Sequence, residues 1–84
     1  MNQKAKLIGR FKKCPKDFTW EEMVQLLKLL GYREEKPNRT GGSRRRFSHD
    51  SGHGINLHQP HPGNIVKTYV IKDVLTALAE EGLL

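Results

Sequence analysis

A chain of 84 residues holds one domain with a single small core and leaves no room for a separate cofactor-binding domain. Fifteen Lys and Arg against nine Asp and Glu give a formal charge of +6, which favours polyanionic partners such as RNA, DNA or an acidic protein over an acidic substrate pocket. The lone Cys14 excludes an intramolecular disulfide and a CxxC metal or redox site, and no apolar run approaches the roughly 18 residues that span a bilayer.

The opening MNQKAKLIGRF lacks the apolar core and cleavage site of a secretion signal, so a cytoplasmic protein starting at its own Met1 is expected, without contact with a membrane. Leu7, Ile8 and Phe11 are spaced for one face of a short accessory helix that Pro15 ends. Thr19 followed by Glu22 forms a capping-box pattern. Trp20, Met23, Val24, Leu26, Leu27 and Leu30 then recur at helical spacing until Gly31, which predicts a helix over 19–30.

From Tyr32 the pattern changes. Tyr32 to Lys36 predicts a strand, Pro37 to Gly42 is turn-rich, Ser43 to His49 predicts a second strand, and Asp50 to Gly54 has the composition of a tight hairpin connection. Ile55 to His58 makes a short third strand. After the loop from Gln59 to Asn64, Val70, Ile71, Val74, Leu75 and Leu78 return to helical spacing and Gly82 closes the run. The expected order is helix, three antiparallel strands, helix, a two-layer α+β domain over residues 1–84 with both helices on one face of the sheet.

Strand alternation turns the other face into the site. Placing Phe47, Ile55 and Leu57 toward the helices sends Arg44, Arg46, Asn56 and His58 to the open side. Arginine binds phosphate as a rigid fork, and histidine moves protons near neutral pH. RNA is cleaved when its 2′-hydroxyl attacks the adjacent phosphorus, a reaction that needs a base, an acid for the leaving oxygen and stabilisation of the phosphorane-like transition state, and that calls for no cofactor or metal. His58, Arg44 and Arg46 have the expected directions for it.

The segment TWEEMVQLLKLLGY, the turn at Gly42-Ser43 leading into a strand with Phe47, the loop LHQPHPGN and the final helix before EEGLL resemble the HicA, or YcfA-like, family of bacterial toxins over nearly all of residues 5 to 83. That resemblance implies a small messenger-RNA-cleaving ribonuclease with a double-stranded-RNA-binding-like fold, neutralised by a HicB antitoxin that binds over the active surface. Family members usually carry Gly-Ser-His with that histidine needed for cleavage, whereas this chain has Gly42-Ser43-Arg44. The family's catalytic role therefore does not carry over to Arg44. His61 in the HPG turn matches the family's loop histidine, and His58 on the preceding strand can take over proton transfer while Arg44 holds phosphate. The candidate catalytic residues are His58, His61 and Arg44; the candidate RNA-binding residues are Ser43, Arg44, Arg46, Lys67 and Lys72.

The remaining features have plainer readings. Arg45 points away from Arg44 and Arg46 and is structural or faces the antitoxin, His49 and His53 are polar loop residues beside a turn, and Trp20 is core or staple rather than a base-stacking platform. His61 between Pro60 and Pro62 either fixes the loop or joins the chemistry. A zinc site is disfavoured because alternation sends His49 and His58 to opposite faces. Three functions are weighed: a ribonuclease toxin, an RNA-binding or interaction module that has lost catalysis with the Gly-Ser-His histidine, and a DNA-binding regulator. The strands between the helices exclude a helix-turn-helix pair and argue against the last.

Overall fold

The computed structural model describes residues 3–35, 44–60 and 63–84. Its elements run α1 (Gln3–Lys12), α2 (Trp20–Leu29), β1 (Tyr32–Glu35), β2 (Arg44–His49), β3 (Gly54–His58) and α3 (Thr68–Glu80). The turn expected over 37–42, Ser43 and His61 lie outside the described residues.

Helix α2 starts where the capping box predicts. The Thr19 hydroxyl accepts the Glu22 N–H at 3.1 Å, and the Glu22 carboxylate accepts the Thr19 N–H at 2.9 Å, so two backbone donors that the helix leaves orphaned are satisfied. It ends at Gly31, whose φ of +98° carries the chain out of the helix into β1. The three strands pair antiparallel in the order β1-β2-β3, with Glu35 opposite Arg46, Arg46 opposite Asn56, and Arg44 opposite His58.

One apolar cluster joins α2 and α3 to a single face of this sheet. Met23, Leu26 and Leu27 of α2 and Ile71, Val74 and Leu78 of α3 are buried together with Tyr32, Phe47, Ile55 and Leu57. Trp20 packs its ring against Phe47 at 6.0 Å between centroids, consistent with the core role read from its spacing. The architecture is the expected two-layer α+β fold, with one sheet face that no described element covers.

The first helix is more than an accessory. Phe11 is fully buried and meets Phe18 at 5.6 Å between ring centroids. Arg10 reaches from α1 to Glu22 at 2.9 Å and to Asp17 at 3.0 Å, and its guanidinium lies over the Phe18 ring. Helical spacing identified Phe11 as apolar but gave no sign of the partner that buries it. The helix stops two residues short of Cys14, which takes a left-handed φ of +51° directly before Pro15, where the proline ring disfavours continued α conformation.

Candidate nucleic-acid interface

Alternation places the side chains as expected: Phe47, Ile55 and Leu57 are buried, and Arg44, Arg46, Asn56 and His58 are exposed on the open face. The register adds what alternation alone cannot give. Arg44 and His58 are direct cross-strand partners on β2 and β3, so their side chains stand next to each other on the same face. Among the described residues neither side chain has a hydrogen-bonding partner, and both face solvent.

Arg46 is in a different state. Its Nε donates to Glu35 at 3.1 Å and its Nη1 to the Asn56 side-chain oxygen at 3.2 Å, so neighbours on both flanking strands hold its guanidinium. The Ser48 hydroxyl also donates to the Glu35 carboxylate. The hydroxyl, with the charge of Arg46, holds the Glu35 carboxyl below its ordinary pKa of 4.5. Glu35 was absent from the sequence-based site. It follows from alternation once Tyr32 is turned inward, but its pairing with Arg46 depends on the strand register, which alternation does not give. Of the two candidate phosphate-binding arginines on the open face, Arg44 is thus the one with no charge partner among the described residues.

Arg45 points to the helix side and forms a partly buried pair with Glu34, with Nε to Oε2 at 3.4 Å. Its structural reading therefore has a specific partner. His49 and His53 are not simple loop residues. Both are partly buried and pack on Tyr32, with ring centroids at 5.0 and 5.9 Å, and the Tyr32 hydroxyl meets His53 Nδ1 at 2.7 Å. Burial raises the pKa of the Tyr32 phenol. His49 Nδ1 accepts the Ser51 N–H at 3.1 Å, which helps close the hairpin. Among the described residues no three His, Cys, Asp or Glu side chains converge as a metal site.

Beyond the edge of β3 lies a cleft of about 630 Å³ between that strand and α3, with His58 and Lys67 both in its lining. His58 therefore belongs to the open face and to the cleft wall. Lys72 is exposed on α3 but does not line the cleft, so the two lysines named from the sequence are separated.

The fold is thus a two-layer α+β domain with α2 and α3 behind a three-stranded sheet and an arginine-histidine pair exposed on the other face. The family model described as HicA toxin of bacterial toxin-antitoxin matches residues 20–79, and the chain belongs to this family. It is a toxin-antitoxin toxin, a role that entails an antitoxin partner. The match leaves α1 outside and is narrower than the 5–83 resemblance. No curated protein and no solved structure matches the chain. No described helix is long and apolar enough to cross a membrane.

Proposed function

We propose that this chain is a metal-independent ribonuclease that cleaves messenger RNA and arrests translation and growth, held inactive by a HicB-like antitoxin in the cytoplasm. The observation that carries this reading is the cross-strand pair of Arg44 and His58, adjacent, exposed and without other partners among the described residues. In this reading Arg44 binds the phosphate and stabilises charge as the 2′-hydroxyl attacks, and His58 transfers the proton, with His61 as a second candidate for that step. Ser43, Arg46, Lys67 and Lys72 are further RNA contacts. The bond formed joins O2′ to phosphorus, the bond broken is that from phosphorus to O5′, and the products carry a 2′,3′-cyclic phosphate and a 5′-hydroxyl.

A specific observation supports a second reading. Arg44 stands where the resembling proteins have the histidine of Gly-Ser-His, so the chain can be an RNA-binding or interaction module of the same fold without catalysis. Incubation with RNA decides between them. A ribonuclease yields cyclic-phosphate ends, spares an RNA blocked at its 2′-hydroxyls, and loses about 100-fold or more in rate on His58→Ala. RNA that is bound but never cut, together with harmless expression of the soluble chain, would establish the module.

A further inference from the structure

The cleft beside β3 contains a feature that the open-face chemistry does not use. Tyr69, in the first turn of α3, lines it and is 57% exposed, one of the few large hydrophobic side chains in solvent among the described residues. Ile65 beside it is 45% exposed, while Trp20 at 7% forms part of the buried wall. The volume of about 630 Å³ lies within the roughly 300–1,000 Å³ of clefts that hold small organic groups. An exposed tyrosine ring over an apolar wall is a surface on which a planar base can stack.

The charges around the cleft are divided in a way that fits a nucleotide. His58 ends β3, Lys67 immediately precedes α3, and both line the cleft. The first turn of α3 has no acidic side chain and no side-chain cap, so the positive end of its dipole is not offset there. The one acid in the lining, Asp73, lies one helical turn beyond Tyr69, at a distance of about 5–6 Å along the axis. A phosphate is therefore favoured by Lys67 and the first turn of α3 and disfavoured beside Asp73, which leaves the apolar wall of the cleft for the base.

We propose that this cleft binds one unstacked base of single-stranded RNA against Tyr69, with the adjoining phosphate at His58 and Lys67. The inference rests on the RNA-cleaving reading and deepens it. The cleft holds the strand beside the open-face pair, so Tyr69 positions the substrate without taking part in bond-making. A duplex keeps its bases stacked and offers only its backbone to such a site, so the preferred substrate class is single-stranded. An extended protein segment added along the free edge of β3 is the competing occupant. It would use the backbone edge and the apolar wall but has no need for Lys67.

Trp20, the only tryptophan of the chain, makes the test direct. A short single-stranded 2′-O-methyl oligoribonucleotide, which resists cleavage at its 2′ positions, is titrated into the full chain while tryptophan emission is followed. The expected result is saturable quenching with the single strand and none with the duplex of the same sequence. Tyr69→Ala should weaken binding about 10-fold and Tyr69→Phe should preserve it, as stacking requires. Both variants should keep the wild-type melting temperature, since the ring is exposed. Binding that Arg44→Ala weakens but Tyr69→Ala does not would overturn the cleft assignment and leave the RNA reading standing. Absence of RNA binding by the wild-type chain would overturn both. Loss of antitoxin affinity on Tyr69→Ala with RNA affinity unchanged would assign the cleft to a protein strand instead.

Discussion

Arg46 and Glu35 stand directly opposite each other on β2 and β1, joined at 3.1 Å, and this pair divides the open-face arginines into one with a partner and one without among the described residues. Arg44 has no equivalent acid among the described residues. Replacing Arg44 with Ala should therefore lower the slope of log affinity for RNA against log salt by about one counterion, and Arg46→Ala should lower it by less. Equal effects from the two would mean that the Glu35 pair opens when RNA binds.

The converse substitution tests the same division from the other side. Glu35→Gln removes a negative charge from the open face and releases Arg46, so RNA binding should tighten and its salt dependence should steepen. Affinity measured at two salt concentrations is sufficient. A lower affinity would give Glu35 a direct role in RNA contact.

Much of this arrangement was legible from residue order. Period-two spacing through Phe47, Ile55 and Leu57 assigned faces to Arg44, Arg46, Asn56 and His58, and the Thr19–Glu22 capping box fixed the start of α2. Pairings across distance were not legible. The Glu35–Arg46 and Glu34–Arg45 ion pairs depend on strand register, the packing of His49 and His53 on Tyr32 depends on the hairpin returning over β1, and the burial of Phe11 depends on how α1 folds back onto Phe18. The cleft and its exposed Tyr69 arise from the separation of β3 and α3, which no local pattern encodes.

Phe11 tests the contribution of α1 to the fold. The residue lies outside the span matched by the family model, yet its side chain is fully buried against Phe18. Phe11→Ala should destabilise the chain by about 3–5 kcal/mol, a large share of what a small domain has. Chemical denaturation gives the value, and a loss under 1 kcal/mol would show that α1 is dispensable after all.

The capping carboxylate makes stability depend on pH. Hydrogen bonds from Arg10 and from the Thr19 backbone hold the Glu22 carboxyl below its ordinary pKa of 4.5. A group whose folded pKa is depressed stabilises the fold fully above its unfolded value and loses that contribution as the pH falls through the folded one. Stability should thus decline as the pH drops below about 4.5. Glu22→Gln should cost about 1 kcal/mol at neutral pH and flatten the acid limb. An acid limb of unchanged slope in the variant would assign the decline to other carboxylates.

The antitoxin that this family membership entails has a predicted footprint. Arg44, which has no charge partner among the described residues, and His58 share the open sheet face, and nothing among the described elements folds over it. Control by occlusion then falls to a second chain, and a basic face favours an acidic one, with charge accelerating the encounter and setting its register. RNA and antitoxin should exclude each other, and Arg44→Ala should weaken both, chiefly through slower association at low salt. Gln25, exposed on α2 behind the sheet, is the control: Gln25→Ala should leave the competition unchanged. Size-exclusion chromatography of toxin, antitoxin and an uncleavable RNA should give two binary complexes and no ternary one. A stable ternary complex would place the antitoxin away from the Arg44–His58 face and require inhibition through a change in the toxin's conformation.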